Sequence, residues 1–299
     1  MKAFNFENYL GEKKRNYFEG WYFRHGGEMP FSFIAGVTKS RDAHGFVQYI
    51  DENTSHYFRF PLSEFSFSRQ DMTIRLGKNS FSLKGIYADL GNENDKIKCV
   101  IKYDSITTFE KSLYAPSVMG PFSYIPMPCS HAVVSLRHNA AGILETAGKT
   151  SAVNAFGYIE KDFGKSFPRN YFWMHAADYS TSIMFATAWP LIFGIRGFLC
   201  VISHAGKQYN LSLYTGAKLT VHVLSREKVA VTIEKGKNKF SFNAISRNGK
   251  KLAAPARGGK MSHTVCEDLS ADCTLYLSLD GNDINLSKIT KCAFECELI

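Results

Sequence analysis

Apolar and polar residues alternate one for one in stretch after stretch of this chain, and that period of two limits its fold more than anything else. In "KLTVHVLS", "KVAVTIE" and "KFSFNAI" every second side chain is apolar, as in a strand with one face in a core. The last two are joined by "KGKNK", a glycine-containing hairpin connection. "HYFRFPLSEFSFS" reads the same way, with Phe58, Phe60 and Leu62 on one side, and "CTLYLSLDGNDINLS" predicts a strand, an Asp280–Gly281 turn and a second strand. Helical spacing is rare. It amounts to a turn or two near Asn5–Lys14 or in "APSVMGPFSYIPMPCS", whose Pro116, Pro121, Pro126 and Pro128 exclude a regular central strand. No repeat of solenoid period is present.

The 24 Phe and 15 Tyr favour the same reading, because aromatic side chains suit a pleated surface. A length of 299 residues accommodates two small barrels. The expected fold is all-β, two antiparallel β-barrels with little helix. A boundary is placed within "HNAAGILETAGKTSAVNA", dividing residues 1–150 from 151–299.

Lys and Arg total 36 against 27 acids, a net +9 that suits an anionic partner. The basic residues are scattered apart from Lys13–Lys14–Arg15 and Lys250–Lys251, and no nucleic-acid module is recognisable, so nucleic acid is not an expected partner. Contact with an anionic membrane surface stays open. "SIMFATAWPLIFGIRGFLCVIS" is interrupted by Pro190, Gly194 and Arg196 and falls short of a clean membrane span. Two buried strands joined near Trp189–Pro190 account for it, with a loop dipping into a membrane interface as the alternative.

Seven cysteines and an N-terminus, "MKAFNFENYLGEKKR", without a signal-peptide apolar core predict reduced thiols and a cytoplasmic protein. In "KCAFECELI", Cys292, Phe294, Cys296 and Leu298 alternate with Ala293, Glu295 and Glu297, which makes the thiols core residues rather than ligands. The histidines at 131, 138, 204, 222 and 263 share no ligand spacing, so no metal is expected.

The chemically odd segment is "GYIEKDFGKSFPRNYFWMH", residues 157–175. Read as strand, loop and strand, it places Phe156, Tyr158, Glu160 and Asp162 on one face and Ile159, Lys161 and Phe163 on the other. In the return strand Tyr171, Trp173 and His175 share a face opposite Phe172 and Met174. Two arrangements fit. The acids are solvated or paired with Lys161, Lys165 or Arg169 and pin the loop, or they sit among rings and act as acids of raised pKa. "NYFEGWYFRHGG" has the same texture, aligning Tyr17, Glu19, Trp21 and Phe23, and Glu19 there is either a structural partner or part of the same cavity as Glu160.

"YFEGWYF", "SFIAGVTKS", "MGPFSYIPMPCSHAVVSL", "GYIEKDFGKSFPRNYFWMH" and "APARGGKM" together resemble the bacterial branch of the tocopherol cyclase family, in family order from residue 17 to about 261. The resemblance implies two lipocalin-like barrels, akin to carotenoid hydratase-like proteins. It also implies a reaction without metal or organic cofactor: closure of a prenylated hydroquinone to a chromanol. This chain departs from the family pattern at Phe163, His175 and Ala176–Ala177, where the family usually carries Trp, Gln and Cys-Asn.

Ring closure needs an acid that protonates an alkene, a cation-stabilising aromatic wall and exclusion of water. On that reading Glu160 or Asp162 donates the proton, Glu19 stands in reserve, and Lys161 or His175 tunes the acid or orients the phenol. Trp21, Tyr22, Tyr158, Phe167, Phe172 and Trp173 line the substrate channel. The competing function is a lipocalin-like carrier of an apolar small molecule that transforms nothing; a third reading is a relic whose cavity is filled by side chains.

Overall fold

A computed structural model describes residues 5–92, 95–189, 194 and 196–298. Its first sheet begins with β1 (Phe18–Gly26), β2 (Phe31–Thr38), β3 (His44–Asp51) and β4 (Ser55–Phe60). Then come β5 (Phe65–Ser68), β6 (Thr73–Leu76), β7 (Asn79–Ser82), β8 (Gly85–Leu90), β9 (Ile97–Thr107), β10 (Cys129–Thr146) and β11 (Lys149–Gly164). They lie in the order β4-β3-β2-β1-β11-β10-β9-β8-β7-β6-β5.

That order explains the curvature. The chain leaves one edge at Phe60 and re-enters at the other edge at Phe65. Five Cα steps reach about 18 Å at most, whereas the edges of eleven flat strands would lie about 48 Å apart. The sheet has to curl until its edges approach. Gly45 on β3 marks the closure, since a Cβ there would lie 2.3 Å from Leu76 Cδ2 on β6.

The second sheet contains β12 (Asn170–Ala177), β13 (Thr181–Trp189), β14 (Gly197–His204), β15 (Lys207–Asn210), β16 (Lys218–Leu224), β17 (Lys228–Lys235) and β18 (Asn238–Ile245). It is completed by β19 (Lys250–Ala256), β20 (Lys260–Leu279), β21 (Asn282–Ile284) and β22 (Lys291–Glu297). The path is β15-β14-β13-β12-β22-β20-β18-β17-β16, with β19 and β21 paired to β20. The result is the expected all-β fold: two curled antiparallel sheets, a nearly closed barrel and a half-barrel. Among the described residues there is no α-helix, only 3₁₀ turns at Leu62–Glu64, Gly120–Tyr124 and Leu213–Thr215. No helix among them is long and apolar enough to cross a membrane.

Each sheet closes over its own core. Trp21, Phe23, Phe33 and Phe81 fill the first barrel, with Phe81 5.6 Å from Phe23 and 5.7 Å from Phe33 between ring centroids. Phe172, Phe242 and Phe294 fill the second, with Phe172 5.6 Å and 5.0 Å from the other two. Each buried ring contributes about 1.5–3 kcal/mol relative to exposure. Two compact units result, Met1–Phe167 with Leu252–Thr264, and Pro168–Lys251 with Val265–Ile299. The boundary region expected near residues 140–155 is the β10–β11 hairpin of the first unit.

The alternation at residues 218–245 forms β16, β17 and β18. Asp280 and Gly281 take φ of +54° and +83°, the left-handed pair of a type I′ hairpin. Cys292, Phe294 and Cys296 face the core as expected, and all seven cysteines are free thiols. "HYFRFPLSEFSFS" is a correction: Pro61 ends β4, a 3₁₀ turn follows, and Leu62 is exposed rather than aligned with Phe58 and Phe60. The return strand is another, because β11 pairs with β1 and β10 whereas β12 pairs with β13 and β22. The connection expected near Trp189–Pro190 lies in part outside the described residues.

Candidate functional site

Strand β11 sends successive side chains to opposite faces of the first sheet. Lys161 points into the barrel, opposite Trp21 on β1, and forms an ion pair with Glu19 in which both side chains are fully buried. Lys161 Nζ also donates to Phe6 O (2.8 Å) and Asn8 O (2.6 Å). The Leu10 N–H donates to both Glu19 carboxylate oxygens (2.9 and 3.1 Å), and Trp21 Nε1 donates to Glu7 O (3.0 Å). Lys161 further lies over the Trp21 and Phe163 rings, 5.0 and 4.6 Å from their centroids. The pair therefore fastens the segment 6–10 to the barrel. Burial pushes the Glu19 carboxyl up and the Lys161 ammonium down, each opposed by the other's charge.

Glu160 and Asp162 emerge on the other face, where β10 supplies a partner that sequence spacing does not indicate. His131 lies opposite Asp162, and its Nδ1 is 2.9 Å from Asp162 Oδ1. Its Nε2 is 3.4 Å from Glu160 Oε2, which also accepts the Tyr158 hydroxyl at 2.7 Å. Tyr22 on β1 stands across from Glu160 and accepts a hydrogen bond from Ser32 Oγ (3.0 Å). Tyr158 is fully buried and Glu160 nearly so, but the His131 and Asp162 side chains are 13% and 24% exposed.

Burial lowers the pKa of His131, but the charges of Glu160 and Asp162 and the hydrogen bond to Asp162 outweigh it and raise the value to about 9. At neutral pH the imidazole carries a proton between two carboxylates. Burial, then Glu160, pushes the Tyr158 phenol well above its ordinary value.

His131, Glu160 and Asp162 bring one ligand atom each within 4.8 Å of one another, as a metal site would. Ligands of one ion converge on one point, however. Here the two carboxylates approach different nitrogens of the ring, an arrangement suited to holding a proton.

The other expected site residues divide between the units. In the first, Trp21 stacks on Phe67 inside the barrel (5.3 Å), and Phe167 meets Phe18 edge-on (5.5 Å) while its N–H donates to Pro255 O (3.1 Å). In the second, Phe172 belongs to the core, and Trp173 and His175 share the opposite face of β12, where His175 Nε2 meets Ser182 Oγ at 3.0 Å.

The sequence pattern of tocopherol cyclase-like proteins matches residues 79–296. No curated protein matches the chain. Among solved structures, the crystal structure of a candidate AttH protein from Nitrosomonas europaea superimposes with a TM-score of 0.60 at 11% identity. The match covers 99% of this chain and 96% of that one, and at such identity it establishes a shared fold. With the family pattern covering β7–β11 of the first sheet, the cluster on β10 and β11 and nearly all of the second sheet, the chain belongs to the tocopherol cyclase-like family.

Proposed function

We propose that this protein is a cofactor-independent cyclase or isomerase that adds a proton to the alkene of a prenylated or otherwise long apolar substrate and closes a ring. The observation that carries the reading is the His131 ring set between Glu160 and Asp162, with the His131 and Asp162 side chains partly exposed. His131 passes its proton through the partly exposed Asp162 carboxyl to the less substituted alkene carbon, and the tertiary cation is captured by a phenol oxygen. The phenol proton returns to the cluster, so the product has the mass of the substrate and no oxidant is consumed. A group with a pKa near 9 is a weak acid, so the rate has to come from stabilising the cation. Once the proton has left His131, Glu160 and Asp162 face the cation as two unneutralised anions already in position. The buried Tyr158 and Tyr22 keep that face from water on the Glu160 side.

The test is incubation with prenylated hydroquinones of increasing tail length, followed by chromatography and mass spectrometry. The reading expects a product of unchanged mass and altered retention, formed by wild type and lost in His131→Gln. A hydroquinone that remains bound through purification yet is returned unchanged would make the protein a carrier and overturn the reading. Equal turnover by His131→Gln would remove His131 from the chemistry.

A further inference from the structure

From within the connection between β9 and β10 into the first two residues of β10 runs a stretch of 19 residues, 112–130, with no charged side chain and no histidine, in a chain whose charged fraction is 21%. About four charges would be expected there on composition alone. Such a run normally disappears into a core. Here Leu113 is 70% exposed, Tyr114 61%, Tyr124 58% and Ile125 43%. The segment is held in shape by its own bonds: Tyr124 donates to Leu113 O (2.7 Å), Ser117 and Ser123 hydroxyls meet at 2.7 Å, and the Ser112 N–H donates to Ala115 O (3.0 Å). Its inner side reaches the cluster, because the His131 N–H donates to Met119 Sδ at 3.1 Å.

The end of the same segment abuts a basic surface. Pro128 O accepts the Lys165 N–H (2.7 Å), and Lys165 O accepts the Gly259 N–H (2.7 Å), in the turn that carries exposed Arg257 and leads to exposed Lys260. Gly258 in that turn lies against Asn16, which follows the exposed run Lys13, Lys14 and Arg15. Fixed apolar and aromatic tips beside clustered cations match the two layers of an anionic bilayer, acyl chains and headgroups.

We infer that residues 112–128 form a membrane-docking loop that seats the first unit on an anionic lipid surface, with Leu113, Tyr114, Tyr124 and Ile125 entering the interface. The inference stands on the loop and extends the proposed function, since a long apolar substrate resides in such a layer.

The test is co-sedimentation with vesicles of phosphatidylcholine alone and of phosphatidylcholine mixed with phosphatidylglycerol. Wild type is expected to sediment with the mixed vesicles, Leu113→Asp/Ile125→Asp to bind about tenfold more weakly or less, and Lys165→Glu/Arg257→Glu to lose the preference for phosphatidylglycerol. Circular dichroism and melting of each variant check that the fold is retained. Wild type left in the supernatant with both vesicles, or undiminished binding by Leu113→Asp/Ile125→Asp, would overturn the inference. So would a wild-type dimer in light scattering that the same double variant dissolves, which makes the loop an interface between copies. Turnover of a detergent-dispersed prenylated hydroquinone separates the two proposals: vesicle binding without turnover removes the enzyme reading and leaves the docking loop standing.

Discussion

Glu160 and Lys161 are neighbours in sequence, yet they belong to opposite kinds of site. Lys161 and its partner Glu19 have no exposed surface, and most of their remaining hydrogen bonds go to backbone groups of the segment 6–11. Glu160 shares its imidazole partner with Asp162, and that trio keeps an open edge at His131 and Asp162. A buried charge whose bonds are spent on backbone holds a fold together. A buried carboxyl that faces an imidazole at a partly exposed edge is placed for chemistry.

The comparison can be broken at several points, the largest effect first. Glu160→Gln and His131→Gln are expected to reduce turnover of a prenylated hydroquinone by about 10²–10⁴-fold while the melting temperature changes much less than in Lys161→Met. Conversely, Lys161→Met strands the Glu19 charge and is expected to cost about 3–5 kcal/mol in chemical denaturation. Glu19→Leu/Lys161→Met together should recover much of that loss, because no buried charge is then left alone. If Lys161→Met were as stable as wild type and inactive, the two faces would have exchanged roles.

A third expected effect is pH dependence. The folded pKa of His131 lies above its unfolded value of about 6.5, so its contribution to stability is complete below pH 6.5 and is lost as pH rises through about 9. The size is on the order of 3 kcal/mol, and His131→Gln should flatten the profile across that window. His138 acts in the opposite sense: burial lowers it to about 3, so its contribution is complete above pH 6.5 and falls away in acid. The window between about pH 6.5 and 9 therefore reports on His131, and above it the buried thiols, raised by burial, add their own loss. The smallest effect is that of Tyr158→Phe, which removes one hydrogen bond to Glu160 and should slow turnover by about tenfold with substrate binding little changed, as compared by kcat and KM.

Much of this was legible in the sequence. Period-two alternation establishes that Glu160 and Lys161 face opposite ways, but not which face is interior, because both faces of β11 are buried from Gly157 to Lys161. His131 was hidden by register. The hairpin pairs Thr146 with Lys149, and counting back from that turn sets His131 against Gly164. Two bulges, between His138 and Ser135 and between Ser135 and Val133, slide the strand by two residues and bring His131 to Asp162. A slip of two preserves the face, so alternation carries no trace of it. The anchoring role of Glu19 was hidden for another reason: most of what the pair holds is backbone, which any sequence supplies. Pro61 was the available signal for the break between β4 and β5.

The claim on which the rest depends is that the proton of the outward cluster resides on His131 at neutral pH. Histidine side-chain NMR on isotopically labelled protein, with His131 assigned by its missing signal in His131→Gln, measures this directly. The account predicts an imidazole that stays protonated through neutrality and titrates near 9; a pKa at or below the ordinary 6.5 or so would contradict it.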